Sequence, residues 1–291
     1  MKEITVLSGK GGAGKTTVTA ALASLAKNTV YCDNDVDAAD LHLIFEPKIQ
    51  ESHLFSSGSV ARINHEKCTN CGLCETNCRF DAIHPNHSNY PQVNPFQCEG
   101  CRRCERICPE NAIISEENFN NNWYVSDTRF GKMVHAKMGP GEENSGKLVS
   151  RIRERAREIA TETNADFIIN DGPPGIGCTA ISSITGTDMV LLVIEPTVSG
   201  LHDAKRLIKL VENFNVPMFA TINKFDINTE VSATVEQYLK SKQIQVLGRL
   251  PFDMKMVESM VQKKSIIEFS PQSPACTELQ NTWNLLSSQI K

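Results

Sequence analysis

Short, mainly apolar runs bounded by turns recur at residues 4–7, 29–32, 167–169, 189–194, 218–222 and 246–250. Runs this short without polar alternation predict strands buried on both faces. Helical stretches lie between them at residues 16–26, 147–161, 201–214, 229–241 and 254–261. Strand alternating with helix predicts an α/β fold, a mostly parallel sheet with helices on both faces. The texture changes over residues 61–116, where cysteines replace the apolar runs. The expected organisation is a discontinuous α/β domain, residues 1–60 and 117–291, with a compact module at 61–116 inserted. The asparagine-rich residues 116–122 and Gly139-Pro140-Gly141 read as loops on the return into the α/β part. Near the C-terminus Leu279, Trp283, Leu286 and Ile290 form an apolar stripe whose only basic neighbour is Lys291. That pattern predicts a helix packed on the core and not a membrane-binding one.

The inserted module repeats itself. Cys68, Cys71, Cys74 and Cys78 superimpose on Cys98, Cys101, Cys104 and Cys108 after a shift of 30 residues, and Asp81-Ala82-Ile83 falls on Asn111-Ala112-Ile113. The spacing C-x₂-C-x₂-C-x₃-C is that of a bacterial-type, α+β ferredoxin with two [4Fe–4S] clusters, in which the fourth cysteine of each run serves the other cluster. It predicts Cys68, Cys71, Cys74 and Cys108 on one cluster, and Cys98, Cys101, Cys104 and Cys78 on the second. Pro109 follows the last ligand as the pattern expects, whereas Arg79 replaces proline in the first half. Two four-cysteine zinc sites are the alternative, although zinc ribbons use separated pairs and not runs of four. Cys32 and Cys276 lack such context and read as small buried side chains.

Directly after the first predicted strand stands Gly9-Lys10-Gly11-Gly12-Ala13-Gly14-Lys15-Thr16-Thr17. The glycines fit a dinucleotide fingerprint, with Asp33 or Asp35 as its acid, as well as they fit a P-loop. Lys15 and Thr16 decide for the P-loop, because a triphosphate needs a cation on its terminal phosphates and a hydroxyl on Mg²⁺. Asp171, ending the strand before Gly172-Pro173-Pro174-Gly175, is placed to hold a water of Mg²⁺. Asn223, Lys224 and Asp226 follow another strand and can read and sandwich a purine. As a four-residue motif, Asn223-Lys224-Phe225-Asp226 also resembles a guanine reader.

Lys10 inside the glycine loop, Asp33-Asn34-Asp35 and Asp171-Gly172-Pro173-Pro174-Gly175 together resemble the deviant-Walker P-loop ATPases, the SIMIBI-type group of MinD, ParA and the nitrogenase iron protein. More narrowly, the chain is similar to MinD-superfamily ATPases with an inserted ferredoxin domain. Glu195 to Asp203 and Gly141 to Lys147 are similar to further stretches of that group. The resemblance implies ATP as the nucleotide and a dimer, of two copies or with a paralogue, closing on it. It implies that Lys10 reaches the partner's phosphates, that Lys15 and Thr16 hold phosphate and Mg²⁺, and that Asp35 positions the attacking water. Asp40 departs from the asparagine that relatives carry. Cys178 follows Asp171 by seven residues, the spacing of a cluster-ligating cysteine in the nitrogenase iron protein. A metal shared across a dimer at Cys178 is therefore one expectation, and simple loop packing is the other.

With 40% apolar and 22% charged residues, the 291-residue chain is globular, and disorder and fibre are excluded. A formal charge of −4 shows no footprint for nucleic acid or anionic lipid. The N-terminal run is too short for a signal peptide and no 18 consecutive residues are apolar, so a cytoplasmic protein is expected, where cysteines in such numbers imply metal or redox chemistry. Two functions follow: ATP-gated electron transfer to a redox partner, or ATP-dependent assembly or insertion of a metal cofactor into a client protein.

Overall fold

The computed structural model describes residues 1–56, 58–139 and 145–289. Chain order gives β1 (Lys2–Ser8), α1 (Lys15–Leu25), β2 (Thr29–Asp33), α2 (Leu41–Phe45) and β3 (Lys48–Phe55). The cysteine segment follows with β4 (Gly58–Ile63), α3 (Leu73–Thr76), β5 (Ile83–Pro85), β6 (Pro91–Val93), α4 (Arg103–Ile107) and β7 (Ile113–Asn118). Next come β8 (Asn121–Thr128), β9 (Gly131–Lys137), α5 (Ser145–Glu162), β10 (Phe167–Pro174), α6 (Cys178–Ile184), β11 (Met189–Ile194) and α7 (Val198–Glu212). The chain closes with β12 (Met218–Asn223), α8 (Thr229–Ser241), β13 (Gln245–Leu250), α9 (Met254–Val261), α10 (Ile266–Phe269) and α11 (Pro274–Ser288). Two compact units result: Met1–His53, Trp123–Lys137 and Gly146 onward form the first, and Leu54–Asn122 with Met138–Ser145 the second.

The first unit is built on a nine-stranded sheet in the order β13-β12-β11-β1-β10-β2-β9-β8-β3. Every neighbouring pair from β13 to β9 is parallel. The apolar runs have a direct cause in this packing. Along β11, Leu191 and Val193 enter a core with α1 and α11, while Val190, Leu192 and Ile194 enter another with α7 and α8. Successive side chains point to opposite faces, so a strand covered on both sides must be apolar throughout. Leu279, Trp283 and Leu286 of α11 are buried, with Trp283 edge-on to Phe167, so that helix does pack on the core. Ile290 and Lys291 lie outside the described residues, as do Pro140 and Gly141 of the expected return loop and the stretch 141–144. No helix of the described residues is long and apolar enough to cross a membrane.

Strands β3, β8 and β9 escape the hydrophobic pattern. β3 is an edge strand with most of its residues exposed, and β8 and β9 mix Asn, Ser, Asp, Lys and His with apolar residues. The expected loop at residues 116–122 is corrected: β7 runs to Asn118 and β8 starts at Asn121, leaving only Phe119 and Asn120 between them. Asparagine there sits in strand ladders, because pairing partners override weak local preference.

His135 on β9 is buried and bonded to Ser126 through Nε2 at 2.9 Å. Burial, with a smaller push from His42, lowers its pKa to about 4. The folded state resists protonation that the unfolded chain accepts near pH 6.5. Stability is therefore complete above that pH and is lost as pH falls toward 4, by up to about 3 kcal/mol on the scale of 1.36 kcal/mol per pH unit. Denaturant melts of parent and His135→Gln across this window should differ in slope, the parent losing more stability than the variant as pH falls.

In the second unit β4 pairs antiparallel with β7 and β5 with β6, around a small core of Ala61, Cys74, Ile83 and Ile113. The repeat is structural as well as sequential. Asn70 and Gly100, Gly72 and Arg102, and Asp81 and Asn111 all adopt left-handed backbone conformations, each pair 30 residues apart. Asn64 N–H donates to Ala112 C=O and Asn94 N–H to Ala82 C=O, both at 2.7 Å, so each half closes on the turn of the other.

Candidate functional site

The C-terminal ends of β1, β2, β10, β11 and β12 converge, placing Ser8, Asp33, Asp171, Ile194 and Asn223 along one edge of the sheet. Parallel strands bring sequence-distant turns together there, which is where open α/β sheets bind ligands. The glycine loop leaves β1 at this edge. Gly9 lies under α7, where a Cβ would stand 2.6 Å from the Ala204 nitrogen, so any side chain would displace backbone. Gly14 has φ of 95° and caps α1 without a side chain, leaving the first-turn N–H groups free for an anion.

Around that turn the predicted residues assemble. Asp171 accepts from Thr16 Oγ1 at 2.7 Å and from Thr19 Oγ1 at 2.8 Å. Lys15 Nζ stands 3.8 Å from Asp35 Oδ2. Asn223 Nδ2 donates to Ala13 C=O at 2.9 Å, tying β12 to the glycine loop. A cavity of about 390 Å³ opens here, lined by Gly11, Gly12, Gly14, Lys15, Thr16 and Thr17 on one side. Asp35, Asp40, Pro174, Asn223 and Lys224 also face it, and Phe252, Asp253 and residues of α9 close it.

Carboxylates crowd this edge. Burial raises Asp33 well above the usual range, and Asp171 and Asp35 add to the rise. Burial also lifts Asp171 despite Lys15, Thr16 and Thr19, and lifts Asp35 to about 6 against the pull of Lys15. Asp33 is a scaffold: its oxygens accept from Asp35 N–H at 3.2 Å and Leu41 N–H at 3.3 Å, shaping the turn that carries Asp35. Such a concentration of carboxylates beside a lysine and a threonine hydroxyl is a donor set for a hard divalent cation and its phosphates.

Some predicted residues are turned elsewhere. Asp226 accepts from Phe252 N–H at 2.7 Å, bracing the segment that walls the cavity instead of facing into it. Lys10 is also absent from the lining of its own chain's cavity. Its ammonium lies 3.3 Å from Glu195 Oε2 and 3.5 Å from Ser199 Oγ. Glu195 also meets Lys224 Nζ at 2.8 Å, and although burial alone would raise its pKa, the bonds from Lys224 and Lys10 hold it below the usual carboxylate range. Cys178 is exposed at the first residue of α6, and Gly146 packs against its Cβ.

Sequence reading missed Thr19, Glu195 and the wall from Pro251 to Met260. A signal existed for Glu195: a carboxylate at the end of a buried parallel strand must emerge on the same edge as the glycine loop.

The eight repeat cysteines divide into two sets in the second unit. Cys68, Cys71, Cys74 and Cys108 line one small, mostly apolar cavity, and Cys78, Cys98, Cys101 and Cys104 line another. Ala82 N–H donates to Cys78 Sγ at 3.4 Å and Ala112 N–H to Cys108 Sγ at 3.3 Å, again 30 residues apart. Among the described residues no three His, Cys, Asp or Glu side chains gather closely enough to hold a single metal ion.

A parallel sheet with a glycine loop, lysine and threonine at the turn after β1, and an aspartate in the C-terminal half of β10, defines a P-loop nucleotide-binding protein. Residues 4–266 match the CobQ/CobB/MinD/ParA nucleotide binding domain, and the chain belongs to that family. An uncharacterized protein of Methanocaldococcus jannaschii is 35% identical over 230 residues, covering 78% of this chain and 79% of that protein. The fold is shared with MinD in the MinC:MinD cell division complex of Aquifex aeolicus, at a TM-score of 0.60 and 20% identity, covering 99% of this chain and 96% of that one. MinD complexed with Mg-ADP from Pyrococcus horikoshii superposes with a TM-score of 0.60 at 17% identity, covering 100% and 98%.

Proposed function

We propose that this protein is a Mg²⁺-dependent ATPase that dimerises on ATP and couples the nucleotide state to electron transfer through two [4Fe–4S] clusters in its second unit. The observation that carries this reading is the division of eight cysteines into two crossed sets of four, each around its own cavity, in a chain with a complete P-loop. Four thiols spread around an apolar cavity suit a cluster. A zinc ion would draw its sulfurs to about 2.3 Å from one point. The backbone N–H groups of Ala82 and Ala112, which donate to Cys78 Sγ and Cys108 Sγ, are donors of the kind that tune cluster potential. When bound, such clusters supply one-electron redox chemistry.

At the nucleotide edge, the first-turn N–H groups and Lys15 would take the phosphates, Thr16 and Asp171 would hold Mg²⁺ directly and through water, and Asp35 would orient the attacking water. Asn223 and Lys224 line the cavity where a base would lie, and Asp226, occupied by Phe252 N–H, is not presented to read guanine. The chain passes from Asp35 through α2 and β3 directly into the second unit, so a segment of the kind that rearranges with the γ-phosphate leads to the cysteines.

Anaerobically purified protein should contain about eight irons per chain and bind ATP at least tenfold, about 1.4 kcal/mol, more tightly than GTP. Elemental analysis with competition binding decides both points. Stoichiometric zinc without iron ends the cluster reading, and a tenfold preference for GTP ends the ATP assignment.

A further inference from the structure

The two cysteine cavities are surrounded by different side chains. At positions 30 residues apart, Arg79 stands where the other half has Pro109, Phe80 where it has Glu110, Arg102 for Gly72, Arg103 for Leu73 and Arg106 for Thr76. Phe80, Arg102 and Arg103 line the second cavity, while Gly72, Leu73 and Glu110 line the first. Arg102 takes a left-handed backbone, φ 58°, where its counterpart is glycine, so a guanidinium is placed there in a conformation that side chains rarely adopt. Over residues 98–108 with 79–82 the formal charge is +1, and over residues 68–78 with 109–112 it is −2.

All four arginines are exposed. Arg103 donates to Asn77 Oδ1 at 3.1 Å, and among the described residues no carboxylate lies within ion-pair distance of any of the four. Nearby acids soften the field without neutralising it: Glu99 lines the same cavity, and Glu105 accepts from Ser115 at 2.7 Å. Phe80, which lines a cavity with Arg102 and Arg103, is 43% exposed. An exposed aromatic ring that lines one cavity with two arginines has the composition of an interface hot spot, and surface charge of one sign steers a partner of the other.

We propose that the arginine-rich half around Cys98, Cys101 and Cys104, where Phe80, Arg102 and Arg103 line one cavity, is the docking surface for an acidic one-electron carrier protein. The proposal rests on the cluster reading. With a cluster bound by Cys78, Cys98, Cys101 and Cys104, one electron would pass from the carrier's reduced centre to it. The carrier is oxidised by one electron, the cluster is reduced by one, and no bond or proton moves. The opposite half, with Glu75 and Glu110, repels the same carrier.

The test uses the full-length, anaerobically purified protein and an acidic two-cluster ferredoxin as the probe, with binding followed by calorimetry at rising salt. Arg79→Gln combined with Arg103→Gln should weaken binding about tenfold or more and flatten the salt dependence. Glu75→Gln with Glu110→Gln should not weaken it, and neither should Lys209→Gln on α7. Binding insensitive to the arginine pair, or equally sensitive to Lys209→Gln, overturns the proposal. Iron measured on the same samples separates the two readings. About eight irons with no arginine effect removes the docking face alone, whereas absence of iron removes the cluster reading and the docking face together.

Discussion

With ATP and Mg²⁺ present, the parent protein is expected to scatter light as a dimer and Lys10→Ala as a monomer. Lys10 sits within the glycine loop, yet its ammonium is directed to Glu195 and Ser199 and not into the cavity beside Lys15. A P-loop cation that does not face its own phosphates is available to those of a second copy. Its present ion pair is a third exposed on the lysine side, the kind of contact worth about 0–1 kcal/mol, so releasing it costs little. Brought to the β- and γ-phosphates, the same charge would stabilise the transition state as an arginine finger does, with effects on the order of 10³-fold or more. Hydrolysis by Lys10→Ala should fall on that scale. Asp35→Ala should behave oppositely in one respect: it should bind ATP, hydrolyse it slowly and accumulate the dimer. A Lys10→Ala protein that dimerises as the parent does would show that Lys10 acts in its own chain or not at all.

Pairs of cysteine substitutions should reveal the crossing. Cys78 lies next in sequence to Cys74 but lines the cavity of Cys98, Cys101 and Cys104, and Cys108 lines that of Cys68, Cys71 and Cys74. Cys78→Ala with Cys98→Ala should therefore strike one cluster and leave about four irons per chain. Cys78→Ala with Cys108→Ala should strike both and leave far fewer. Iron analysis and electron paramagnetic resonance of the reduced proteins measure the difference. If instead Cys78→Ala with Cys74→Ala spares one complete cluster, each run of four serves a single cluster and the crossed arrangement is wrong.

Local chemistry determined much of this protein in the sequence. The apolar runs had to be strands covered on both faces, because no other short element needs so many consecutive apolar residues. The glycine loop followed by Lys15 and Thr16 specified a phosphate site, since backbone N–H groups, a cation and a hydroxyl are contiguous there. The 30-residue repeat carried into the backbone, where left-handed turns recur at the same interval. Tertiary structure decided what depends on partners far apart in the chain. β3, β8 and β9 are strands because the sheet pairs with them: β3 is largely exposed and needs no apolar run, and β8 and β9 carry polar residues that strand pairing tolerates. Asp226 had the residue type for base reading, but the fold gave its carboxylate to Phe252 N–H, across 26 residues. Glu195 became the counter-ion of Lys10 across 185 residues only because β11 lies beside β1 in the sheet. Strand order is a non-local choice, and every contact along the nucleotide edge is inherited from it.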